Sequence, residues 1–167
     1  MFKRIAVRYG LLAGISTVGL FLLLYFVEPA WMFNPWIYWG SLIIYLVFMW
    51  QAVQADRKNK AGNYTFQNAL QTAFLVFVVA NLIYYLFYWL LYAWIDPGLV
   101  DLQRDMMRAA MEKNRDLMDD KQRQELLKSL GDAAAFKVTF STTILAYARS
   151  LIGGFILALA MSPLVKD

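Results

Sequence analysis

Arg149 is the residue of this chain whose type and position most invite a chemical explanation. It lies in Leu145-Ala146-Tyr147-Ala148-Arg149-Ser150-Leu151, inside a long apolar run. If that run crosses a bilayer, the guanidinium sits roughly 15–18 Å deep, near the midplane. A charge at that depth costs at least about 2.5–3.5 kcal/mol on insertion scales, so it should face a bundle interior or a wet cavity. One reading is an anion or lipid-headgroup contact, or a coupling charge in a transport path. The other is a structural arginine, bonded to helix carbonyls and to Tyr or Asn side chains, or snorkelling outward. A candidate neighbour is Asn81, midway along another apolar run, which starts the stripe Asn81, Tyr85, Tyr88, Tyr92. Spacings of +4, +7 and +11 put these four on one helix face, with Tyr84 beside them. Such a face can solvate a guanidinium or line a polar groove. The expectation is that Arg149 and Asn81 lie within hydrogen-bonding reach. Tyr92, with Trp94, reads more simply as part of an interfacial aromatic belt.

Other chemistries have little to work with. The chain holds no Cys and no His, which removes disulfides, thiol nucleophiles, Ser-His-Asp triads and His- or Cys-ligated metals. Glu28 and Asp96 sit at the ends of apolar runs, and no Asp or Glu is expected inside one. That argues against a proton- or sodium-coupled carrier. Asp119-Asp120 reads as a helix cap rather than a metal or acid/base pair. Met106, Met107, Met111 and Met118 give one segment a soft apolar side suited to packing on a partner or a membrane surface. The sequence therefore implies no catalytic residues, no cofactor and no metal, and a protein that is not an enzyme.

The elements that would position Arg149 and the tyrosine stripe follow from hydropathy. Of the 167 residues, 60% are hydrophobic, against roughly 45–50% in a soluble domain. The excess lies in four blocks of bilayer-spanning length, at about 9–27, 37–53, 66–95 and 138–161. The third block is long enough to require tilt or projection beyond the hydrocarbon, and Asp96-Pro97-Gly98 stops it. The fold class is all-α: a single polytopic membrane domain over 1–167, with four transmembrane helices. An extramembrane helical insertion at about 98–133 separates helices three and four. Within it, one helix is expected from about Leu99 to Met118 and another from about Lys121 to Leu130, capped by Asp119 or Asp120 and ended by Gly131.

Charge placement suggests topology. Lys3, Arg4 and Arg8 precede or open the first span, and Arg57, Lys58 and Lys60 follow the second, whereas the 28–36 connection carries only Glu28. The positive-inside bias then places both termini and the 54–65 loop in the cytoplasm and the insertion outside. The cluster Arg57-Lys58-Asn59-Lys60 is a topology signal rather than a nucleic-acid site. Gly10-Leu11-Leu12-Ala13-Gly14 is a GxxxG pattern that serves close helix approach, within the chain or between copies.

Four stretches carry a resemblance: Tyr9-Gly10-Leu11-Leu12-Ala13-Gly14, Ala61-Gly62-Asn63-Tyr64-Thr65-Phe66-Gln67-Asn68-Ala69, Ile95-Asp96-Pro97, and Leu151-Ile152-Gly153-Gly154-Phe155-Ile156-Leu157 before a basic C-terminus. Together they resemble the DUF4199 family of small bacterial membrane proteins over nearly the whole chain. The resemblance implies four helices with a helical insertion before the last, and assigns no activity. The functional expectation is an inner-membrane accessory or scaffold subunit that binds a protein or lipid partner. The alternative is a small oligomeric transporter or lipid-handling protein using Arg149 as an anion site. Expected partners are the bilayer, a membrane protein or a second copy, and no nucleic acid.

Overall fold

The computed structural model describes residues 2–60 and 64–165. Among these residues six α-helices appear: α1 Phe2–Val27, α2 Pro35–Asn59, α3 Phe66–Leu90, α4 Leu99–Lys113, α5 Asp120–Gly131 and α6 Phe140–Met161. A π turn, Leu91–Ile95, prolongs α3. Four of these helices are long and apolar enough to cross a membrane, the third running Phe66–Ile95 over 30 residues. The chain is thus an all-helical membrane protein with a helical insertion, α4–α5, before its last span.

Helix α3 is the hub. Gly10 and Gly14 bring α1 onto it so closely that a Cβ at Gly10 would lie 2.7 Å from that of Val79, and one at Gly14 2.8 Å from Ile83 Cδ1. The GxxxG pattern therefore serves packing within the chain. Phe21 continues the same face onto Tyr84, their ring centroids 5.3 Å apart. On another side, α6 runs antiparallel to α3, with Gly154 seated on the Phe77 ring and Phe155 edge-on to Phe74. Helix α2 meets α3 through Tyr45 and Phe77 but touches α6 only sparsely. That leaves a gap between α2 and α6, floored by α3.

Two helices outrun their apolar blocks. α1 includes Arg4 and Arg8, and α2 continues past Val53 to Asn59. Asp56 therefore belongs to a spanning helix, which corrects the expectation of spans free of acidic residues. It is only 1% exposed. Its carboxylate accepts the Thr72 hydroxyl at 3.1 Å and pairs with Lys60 at 3.6 Å. Lys60 also donates to Asn68 at 3.0 Å, so this end of α2 is pinned to α3. The remainder of the expected polar loop, 61–63, lies outside the described residues, as does Lys166 of the basic C-terminus.

Two further boundaries differ from expectation. α4 stops at Lys113 instead of Met118, with Asn114 as its C-cap: the backbone and side-chain N–H groups of Asn114 both donate to the Ala110 carbonyl, at 3.1 and 2.8 Å. A 3-10 turn, Arg115–Leu117, follows. Asp119 occupies the N-cap of α5, but its side chain makes no cap bond. The last span opens at Phe140 rather than 138, with Thr139 and Thr142 capping each other reciprocally at 3.2 and 2.9 Å. Arg104 locks the insertion: its Nε and Nη2 donate to the Leu130 carbonyl at 3.1 and 2.8 Å, tying α4 to the C-terminal end of α5.

Candidate functional site

The gap between α2 and α6 is a cleft of about 310 Å³ in the interior of the four-helix body. Its walls are apolar, supplied by residues such as Leu42, Ile156 and Leu157. Its polar groups are neutral, among them the hydroxyls of Thr17, Ser41, Ser150, Tyr38, Tyr45, Tyr84 and Tyr85, the Trp39 indole and the Asn81 amide. Three of the small hydroxyls are satisfied on their own helices: Thr17 donates to Ala13 O at 2.9 Å, Ser41 to Tyr38 O at 2.7 Å, and Ser150 to Tyr147 O at 2.6 Å. This i−3 or i−4 back-bonding is what lets hydroxyls sit in an apolar helix. Asn81, 6% exposed, donates its amide to Ser150 Oγ across the α3–α6 interface. Among the described residues it makes no other side-chain hydrogen bond, so its carbonyl oxygen remains an acceptor.

Arg149 is not part of that cluster. Its helix neighbour Ser150 takes Asn81, while Arg149 itself is exposed on α6 and, among the described residues, has no hydrogen bond or ion pair. The expected Arg149–Asn81 contact is therefore absent. Successive helix residues point about 100° apart, so only one of this pair can face α3. Arg149 shares a stripe with Gly153 and Ile156, four and seven residues on, both of which line the cleft. Arg149 itself is exposed and does not line the cleft.

A second chamber, of about 940 Å³, opens at the end of the helices nearest the insertion. It is bounded by the 3-10 turn Pro29–Phe33, by the start of α2, and by Gln103, Met106, Met107 and Ala110 of α4. Tyr38, Trp39 and Tyr84 line both the cleft and this chamber, so the two adjoin at these three side chains, and the adjoining pair makes up the groove. A smaller recess of about 190 Å³, lined in part by Lys137, adjoins the chamber at Tyr88 and Gln103. The tyrosine stripe runs along this groove. Tyr85 and Tyr88 have ring centroids 6.3 Å apart, and Tyr88 and Tyr92 4.3 Å. Tyr85 also meets Tyr147 of α6 at 6.0 Å. Tyr92 is only 5% exposed and packs on Phe33, so it is not a belt residue, whereas Trp94 at 72% exposure fits a belt. The structure thus brings Asn81 and Tyr85 together in the cleft, places Tyr88 in the adjoining chamber, and leaves Arg149 outside.

Sequence reasoning missed Tyr38, Trp39 and Ser150 as lining groups. Tyr38 and Trp39 open the second span and have the look of belt residues. Ser150 was overshadowed by the arginine before it. Only the sparse α2–α6 contact makes them walls of a shared groove.

Fold and groove together define a four-span membrane protein with an apolar cleft between two of its helices and an adjoining chamber at the end nearest the insertion. The family model described as a protein of unknown function (DUF4199) matches residues 8–167. The chain belongs to the DUF4199 family. No curated protein and no solved structure matches it.

Proposed function

We propose that this protein is a non-enzymatic lipid-binding membrane subunit that holds one amphiphile from the surrounding bilayer. The observation that carries the reading is the pair of adjoining cavities: an apolar cleft between α2 and α6 and a wetter chamber beneath α4, with Tyr38, Trp39 and Tyr84 lining both. A lipid has the same layout, a chain at membrane depth and a headgroup at the interface. Both volumes fall in the range of about 300–1,000 Å³ typical of ligand sites. Neutral hydroxyls and the Asn81 carbonyl can meet ester or hydroxyl groups without the cost of a buried charge. The groove offers no activated nucleophile or acid/base pair, and binding needs none. With the positive-inside arrangement, the protein sits in a bacterial inner membrane, termini in the cytoplasm and α4–α5 outside.

Gly153 provides a clean test. A Cβ there would meet nothing within 4 Å, and Gly153 lines the cleft, so Gly153→Phe adds a ring at the cleft wall, with a thermal melt to check that the fold is kept. Native mass spectrometry of the protein gently extracted from its own membranes should show a retained lipid mass, strongly reduced in Gly153→Phe. A bare protein in both cases refutes the reading.

A second reading is favoured by Arg149, exposed at mid-helix on the stripe of Gly153. A small oligomeric transporter would use it as an anion site, and Arg149→Leu would then abolish transport in a folded protein.

A further inference from the structure

The charge layout of the chamber selects among lipid headgroups, an inference that rests on the lipid-binding reading above. Among the described residues lining the chamber, Glu28 is the one with a charge, and no Lys or Arg shares it. Around it stand Trp31, Tyr38, Trp39, Tyr88 and Tyr92. Aromatic faces carry a negative quadrupole and attract cations, ammonium groups above all, and a carboxylate adds a formal counter-charge. An anionic headgroup would meet Glu28 with like charge and find no donor cation in the chamber. Past Tyr88 and Gln103, the adjoining recess supplies Lys137. A positive group therefore fits at the Glu28 end of the groove and a phosphate toward Lys137.

We infer that the occupant is a zwitterionic phospholipid whose headgroup ends in an ammonium, held by Glu28 and the chamber aromatics with its chain in the α2–α6 cleft. Methionines 106 and 107, both on the chamber wall, give the headgroup site an adaptable, polarizable side.

The test is competitive binding of the full-length protein from an equimolar mixture of phosphatidylethanolamine and phosphatidylglycerol, read as the ratio of the two lipid adducts by native mass spectrometry. Phosphatidylethanolamine should be preferred by about fivefold, the scale of one partly exposed cation–π contact with an ion pair. Glu28→Gln should lower the ratio toward unity by reducing the phosphatidylethanolamine adduct, with the thermal melt unchanged, since Glu28 is exposed and outside the helix cores. Gly153→Phe should remove both adducts. Equal retention of the two lipids, or a preference for phosphatidylglycerol, with both displaced by Gly153→Phe, overturns the headgroup assignment and leaves the cleft reading standing. No adduct on the unmodified protein, or adducts indifferent to Gly153→Phe, overturns both.

Discussion

Replacing Arg149 by leucine separates two costs that the sequence merges. Arg149 is the tenth residue of α6, which runs Phe140–Met161, so it lies about 14 Å from one end and about 18 Å from the other. On insertion scales an arginine at a helix centre costs about 2.5–3.5 kcal/mol, and leucine gains about 0.3–0.6 kcal/mol. The substitution should therefore favour insertion of α6 by about 3 kcal/mol, toward the lower end because a guanidinium near the middle of a single exposed face can snorkel. Packing should not notice the change, since Arg149 is exposed and, among the described residues, bonds to nothing. Two assays read the two quantities. An engineered-segment insertion assay on α6 should show the inserted fraction rising for Arg149→Leu. Thermal unfolding of the full protein in detergent should move by no more than about 0.5 kcal/mol, as for ordinary surface substitutions. A loss of more than about 1 kcal/mol in detergent would refute the reasoning, because it would mean that the guanidinium is held by this chain's own fold.

Three further predictions concern the frame around the groove. Asp56→Ala should destabilise by about 2–4 kcal/mol, since it strands the buried Thr72 hydroxyl and removes the ion pair with Lys60; Asp56→Asn, which keeps an acceptor for Thr72, should cost about half as much because Lys60 is 34% exposed and its pairing is screened. Equal losses for the two variants in a detergent melt would contradict this division. Gly154→Ala drives a methyl into the Phe77 ring and should cost about 1–3 kcal/mol, whereas Gly19→Ala, with nothing within 4 Å of the new Cβ, should be neutral or slightly stabilising. Finally, burial and the adjacent Asp56 carboxylate push the Tyr64 phenol up to about 12. A phenol held above its unfolded value near 10 contributes stability fully below pH 10, and that contribution is lost as pH rises toward 12. Its hydroxyl is buried without a hydrogen-bond partner among the described residues, so Tyr64→Phe should melt no lower at neutral pH and lose less stability between pH 10 and 12.

Much of this architecture is legible in the residues themselves. Four apolar blocks imply four spans because a chain this short has no other place for them, and Asp96-Pro97 ends the third because proline cannot continue its ladder. Spacing alone sets Asn81, Tyr85, Tyr88 and Tyr92 on one face, and they do run along one groove. Boundaries are less legible where polar residues are satisfied locally. Asp56 reads as loop until Thr72 and Lys60 are seen around it, and α4 reads as longer until the Asn114 amide turns back on Ala110.

Arg149 shows where such reading ends. Composition fixes that a cation lies at membrane depth and that its burial would be costly. Which way it points depends on the rotation of α6, and Gly154 settles that by being the residue small enough to meet Phe77. With Gly154 against α3, Ser150 one turn earlier must face Asn81, and Arg149 must face outward. The sequence determines membrane insertion, helix count and the tyrosine face, because these follow from hydropathy and periodicity along one chain. The cleft and its chamber are decided only in three dimensions, because they exist where α2 and α6 fail to meet, and the spacing between two helices is written in neither of them alone.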